Sequence, residues 1–239
     1  MGTGDDKPSD SEKDVPTTLK EEDSCENEWW LTSLFPVSHT RFRDTLNRPY
    51  LTPGMKSLRL EYAHKYINFD WTKAVFGDEH ELFFGGTRIR VWGTINIDGV
   101  QDLQVLRGLQ SAQKHIGTIF KPTIEQNASD ITFVNSPGRI SESGIVKMWF
   151  KDEGVPYVLL PPSSRDLGIM ENLWSSLKTE LGYMSSRKPI LQQECFDMVK
   201  EAWSYVKDRY VDTHLEELYE SIGKRLGLCI TRNGDLLYR

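Results

Sequence analysis

Between residues 130 and 162 the sequence runs "DITFVNSPG", "SGIVKMWFKDEG" and "VPYVLLPP". A short apolar run ends in turn residues, a helical segment is stopped by Gly154, and a second apolar run ends in two prolines. Short apolar runs between turn formers mark buried strands, and strands that alternate with helices build a sheet with helices packed on it. This alternation constrains the fold more than any other feature. Upstream, "WTKAVFGDEHELFF" reads as a strand broken by Gly77-Asp78-Glu79, and "TRIRVWGTINIDG" as a strand closed by the Asp98-Gly99 turn. From Asp166 onward the reading is helical. Leu167, Met170, Trp174, Leu177 and Leu181 share one face, Phe196, Val199, Trp203 and Val206 a second, and Leu215, Leu218, Tyr219, Ile222 and Leu226 a third. Strands first, alternation next and helices last describe a mixed α/β domain.

Two further helices complete this reading. "TPGMKSLRLEYAHKYINF" places Leu58, Tyr62, Tyr66 and Ile67 at helical spacing, with Thr52 as cap and Pro53 in the first turn. "SAQKHIGTIFKPTIEQ" is helical around His115 to Phe120 and interrupted by Pro122.

The net charge of -6 is unevenly placed. Residues 1–28 carry ten acids against three Lys, which leaves 25 acids and 26 bases in residues 29–239. Residues 1–28 have too few apolar side chains to offset their ordering entropy, so they are expected to be a disordered acidic tail. Trp29-Trp30-Leu31 then opens a domain expected to span residues 29–239, or serves as a docking segment. A near-neutral body gives no global case for nucleic acid; only a local basic patch could make one. No apolar run is long enough to span a membrane. Cys25, Cys195 and Cys229 have neither the number nor the spacing of a disulfide framework or a zinc module. His39, His64, His80, His115 and His214 show no ligand spacing. Trp92, Trp149, Trp174 and Trp203 lie in apolar periodic segments and are expected in the core.

The segments "KAVFGDEHELFF", "VWGTINIDG", "FVNSPG", "LLPPSSRDLGIMENLWSSLK" and "SIGKRL…ITRNGDLLYR" occur in an order that resembles the catalytic domain of mariner-like DDE transposases. "RPYLTPGMKSLRLEYAHKY" looks like the lead-in, and the resemblance covers roughly Arg48 to Tyr238. It implies an RNase H-like fold, a mixed central sheet flanked by helices, in which three carboxylates of active members hold two metal ions. Asp78 in "FGDEH" matches the first acid and Glu171 in "IMENLW" the third, so these are the candidate catalytic and metal-binding residues. The second acid belongs at the end of "DITFVNSPG". Val134 falls there, or Asn135 or Ser136 with a shift of one or two residues, and none of the three is acidic. Asp130 is four residues upstream, about 13 Å along a strand. Glu79 neighbours Asp78 but points to the other face of a strand. Two divalent ions a few Å apart repel strongly without a full carboxylate cluster, so the two-metal site is expected to be broken. The family's Ser-Pro-Asp-Leu-Asn-Pro-x-Glu-Asn reads here as Ser164 to Asn172 with both prolines lost. About 47 residues precede the resemblance, where active members carry paired helix-turn-helix units, so recognition of transposon ends is expected to be lost.

Three functions remain in view. The first is a catalytically inactive, domesticated binding or assembly module in the nucleus, with a protein partner, DNA as an additional non-specific partner, and no cofactor. The second is an active Mg²⁺- or Mn²⁺-dependent DDE nuclease or strand-transfer enzyme. The third is a non-specific DNA-binding remnant of a transposable element. Arg139, Lys147, Lys151 and Arg165 are candidates for a surface that contacts DNA, against the commoner solvated face.

Overall fold

The computed structural model describes residues 50–127, 130–187, 189, 191–210 and 213–237. The acidic tail, the Trp29-Trp30 junction, Cys25, His39 and Tyr238 lie outside the described residues. The chain enters on α1 (Pro53–Tyr66), where the Thr52 hydroxyl accepts from the Met55 amide at 3.2 Å and Pro53 occupies the first turn. Both features suit a helix start, because the first amides have no partner within the helix. The buried side of α1 is Arg59, Tyr62 and Ala63, while Leu58 is 49% exposed. Of the four residues expected on this face, Tyr62 is buried and Tyr66 and Ile67 pack against the core, while Leu58 turns outward and Arg59 is buried beside it.

The strands β1 (Ala74–Phe84) and β2 (Thr87–Asn96) form a long antiparallel hairpin closed by Gly85-Gly86, both at positive φ. That backbone suits glycine and matches the twist of a two-residue hairpin turn. β1 runs unbroken through Gly77-Asp78-Glu79, contrary to the sequence reading. Pairing of these residues with Thr94, Gly93 and Trp92 overrides their turn propensity. The short strands β3 (Gly99–Val100) and β4 (Gln104–Val105) pair with the outer edge of β2.

A helical stretch then crosses to the other side of β1. It is α-helical over α2 (Ala112–His115), π over Ile116–Phe120, and α-helical again over α3 (Lys121–Glu125). Pro122 does not interrupt it; the change of helical pitch sits just ahead of the residue that lacks an amide proton. β5 (Thr132–Asn135), α4 (Gly144–Asp152) and β6 (Tyr157–Leu159) form the expected alternation, and β5 runs parallel to both β1 and β6. The sheet order is β3-β2-β1-β5-β6, with β4 also on β2. Three long helices finish the fold: α5 (Met170–Tyr183), α6 (Gln192–Arg209) and α7 (Thr213–Thr231).

Each face of the sheet carries its own core. Val75, Trp92 and Phe133 pack with Ile119, Phe120, Val146 and Phe150 beneath α2–α4. Phe76, Val91, Ile95 and Val134 pack under α5–α7 with Leu173, Trp174, Val199, Trp203 and Leu226. Trp92, Trp174 and Trp203 are buried as expected, whereas Trp149 is only partly so. Among the described residues no helix is long and apolar enough to cross a membrane.

Candidate catalytic cleft

Alternation along β1 puts Phe76, Asp78, His80 and Leu82 on the face covered by α5–α7. β1 outruns β5, whose last pair is Gly77 with Asn135, so Asp78 stands where the parallel pairing ends. Glu171 lies in the first turn of α5, where a carboxylate suits the positive end of the helix dipole. Asp78 and Glu171 line one cleft with Phe76, Val134, Ser136, Leu160, Arg165 and Met170. Its space is about 10 Å³, enough for about one water.

The register resolves the position opposite the two acids. Val134 pairs with Phe76, points to the face of Asp78, and is 1% exposed within the apolar cluster of that face. Asn135 points to the opposite face, where its amide donates to the Tyr157 hydroxyl at 3.3 Å and that hydroxyl donates to the Ser141 carbonyl at 3.1 Å. Ser136, just past β5, lines the cleft beside Asp78. The other two acids near in sequence are engaged elsewhere. Asp130 pairs with Lys73 at the far end of the strand, and Glu79 faces Arg90 and His115 at 3.6 and 3.7 Å.

Asp78 is held by a donor that sequence reading assigned to the core alone. Trp174 Nε1 donates to Asp78 Oδ2 at 2.9 Å, although the ring is fully buried. Glycines make the approach possible. A Cβ on Gly93, the β2 partner of Asp78, would lie 2.7 Å from the Trp174 ring and 3.0 Å from Trp203. On the opposite face a Cβ on Gly77 would lie 2.5 Å from Trp92. Glycine inside a strand signals such close approach, and this was the available clue to Trp174.

Burial pushes the Asp78 carboxyl up to about 6; the bonds from Trp174 and Ser136 oppose this, Glu171 adds to it and Arg165 opposes it. Two residues along, burial pulls His80 down to about 3, helped by Lys178 and Arg165. The His80 ring is stacked on Trp174 at 5.0 Å, and its Nε2 is buried without a hydrogen-bond partner. A wider groove of about 730 Å³ opens beside the cleft, past the end of β5, with Arg90, Arg139, Arg165 and Lys178 on its walls. Lys147 and Lys151 are not part of it; they line a separate trough. The DNA-surface candidates therefore divide into two places.

The segment Ser164 to Asn172 has a structural task. Asp166 forms a two-point ion pair with Arg59 of α1, both contacts at 2.7 Å and both side chains fully buried. Arg225 of α7 donates to the carbonyls of Asp166 and Gly168 and to Asn172 Oδ1. These two arginines fix the loop that delivers Glu171.

The sequence is 22% identical over 216 residues to the transposable element Tc3 transposase of Caenorhabditis elegans, covering 78% of this chain and 64% of that protein. The chain thus spans just under two thirds of that relative's length. No protein-family model matches. The Mos1 transposase catalytic domain, solved with raltegravir and Mn, superposes with a TM-score of 0.63 at 13% identity, covering 78% of this chain and 98% of that one. The chain has the fold of the Mos1 transposase catalytic domain. A Mos1 transposase paired-end complex with the left transposon end matches over 96% of this chain and 83% of that one, at 12% identity and a TM-score of 0.62.

Set against the mariner-like fold, the cleft does not suit a pair of divalent ions. Such a pair takes several anionic oxygen ligands. Here two carboxylates face a buried valine. Among the described residues no group of three His, Cys, Asp or Glu could hold a metal ion.

Proposed function

We propose that this chain is a transposase-derived binding module that has lost strand cleavage, acts in the nucleus and engages nucleic acid, with a protein partner in assembly. One observation carries the loss of cleavage: Val134 occupies the buried position on the face of Asp78 where a bridging carboxylate is needed. A valine offers no ligand, and Asn135 is turned away.

Retention of nucleic acid binding is supported by the groove beside the cleft. Arg139, Arg165 and Lys178 are exposed on its walls. None is in an ion pair among the described residues. Exposed cations on these walls, which also carry Asp78, Glu79 and Glu81, suit a phosphate backbone and give no base readout, so binding is expected to be independent of sequence. The Mos1 relative is seen with a transposon end.

The test is a duplex DNA binding titration at several salt concentrations, run beside a nicking assay with Mn²⁺. The expected result is salt-sensitive binding that weakens in Arg139→Glu/Lys178→Glu, with no nicking. Nicking that disappears in Asp78→Asn would restore the enzyme reading. Absence of DNA binding at low salt would leave protein assembly as the sole role.

A further inference from the structure

We propose that the chain's own segment Glu21 to Leu31, "EEDSCENEWWL", docks into the trough between α4 and β6. The trough has a volume of about 550 Å³ and is lined by Lys147, Lys151, Val155, Pro156, Tyr157 and Leu159. That size falls in the range of about 300 to 1,000 Å³ typical of ligand clefts. Val155, Tyr157 and Leu159 alternate along one face of the β6 segment and form an apolar floor. Lys147 and Lys151, one turn apart on α4, form the opposite wall. Both are exposed, and neither is in an ion pair among the described residues. No acid lines the trough. β6 is the last strand of the sheet, and among the described residues no strand pairs with its outer edge.

The occupant follows from charge, composition and reach. A trough with an apolar floor and two unpaired ammonium groups calls for acids next to large apolar side chains, and an open strand edge calls for an extended segment. In "EEDSCENEWWL" five acids directly precede Trp29, Trp30 and Leu31. The rest of the chain is near neutral, so this is where complementary charge is concentrated. The described chain begins at Tyr50, just ahead of α1. Arg59 of α1 donates to the Ser163 carbonyl at 3.2 Å, and Ser163 is four residues beyond the end of β6. At about 3.3 Å per residue of extended chain and 1.5 Å per residue of helix, with the length of the arginine side chain added, that path from Tyr50 to β6 is at most roughly 40 Å. The stretch between Leu31 and Tyr50 can extend over roughly 60 Å. The tether is long enough for docking within one molecule. The inference stands apart from the loss of cleavage and survives if the cleft proves active.

The full chain provides the probe, because Cys195 and Cys229 are buried and Cys25 lies inside the segment. A nitroxide on Cys25 is expected to broaden the amide signals of Lys147, Lys151, Tyr157, Val158 and Leu159 at least twofold more than those of α7. Lys147→Glu/Lys151→Glu, which alters only exposed side chains, is expected to remove most of that difference. A mixture of isotope-labelled chains without nitroxide and unlabelled chains with it is expected to show none. Uniform broadening, broadening centred on Arg139, Arg165 and Lys178, or equal broadening in the mixture would each overturn the proposal. The last result would assign the trough to a second copy.

Discussion

Asp78 loses more by ionising in the folded chain than in the unfolded one. Its ordinary value lies near 3.8, and burial lifts it to about 6. Between those values the folded chain keeps a proton that the unfolded chain has released. Stability from this group is therefore complete below about pH 4 and falls as pH rises through 6. His80 has the opposite slope: its folded value lies below its unfolded one, so its contribution is lost as pH falls from about 6.5 toward 3. Comparing a variant with the parent at each pH isolates Asp78. Asp78→Asn still accepts from Trp174 and is expected to be more stable than the parent at pH 7, by on the order of 1 to 3 kcal/mol. The gain should vanish by pH 4. Denaturant titrations at pH 4, 5, 6 and 7 check this, and a pH-independent difference would show that Asp78 carries no such strain.

At the scale of elements, the β1–β2 hairpin is shaped so that an indole can reach a carboxylate. Gly93 is paired with Asp78 and lies against Trp174 and Trp203. Gly93→Ala is expected to cost roughly 1 to 3 kcal/mol, the usual range for an overpacked core, and to shift the Asp78 titration as the Trp174 bond lengthens. Thermal unfolding together with carboxyl NMR reads both effects. This hairpin also shows how much the sequence made legible. Asp78 and Glu171 stand out in the sequence because the short segments around them keep a recognisable pattern. The continuous β1 was not, because Gly77-Asp78-Glu79 looks like a turn until β2 supplies its partners. Trp174 was assigned correctly to the core, but its donor role needs α5 laid across the sheet, which no local pattern encodes. The π segment before Pro122 was hidden for the same reason: helix-breaking propensity was legible, while the packing of Ile119 and Phe120 that keeps the helix going was not. On α1 only the exchange of Leu58 for Arg59 escapes the apolar pattern, because Arg59 is a cation buried by a partner more than a hundred residues away.

For the molecule as a whole, that partner ties the lead-in helix, the acid-bearing loop and the C-terminus together. Arg59 bonds Asp166, Ser164 and the carbonyls of Ser163, Gly234 and Asp235, while the Leu237 amide donates to Asp166. Removing one member of a buried pair leaves an uncompensated charge, so Arg59→Met is expected to destabilise the fold by about 3 to 5 kcal/mol. Arg59→Met/Asp166→Leu should recover much of that loss in denaturant titrations; no recovery would mean that the other bonds of Arg59 dominate. This frame holds the shape of the cleft through contacts outside it. The loop that delivers Glu171 is held by Arg59 and Arg225, and Asp78 is held by Trp174. The most direct test is Mn²⁺ calorimetry on the parent, on Val134→Asp and on Val134→Asp/Asp78→Asn. Restoring a carboxylate beside Asp78 and Glu171 is expected to create Mn²⁺ binding that the parent lacks and that the double variant loses. Mn²⁺ binding by the parent that disappears in Asp78→Asn would contradict the loss of the site at Val134.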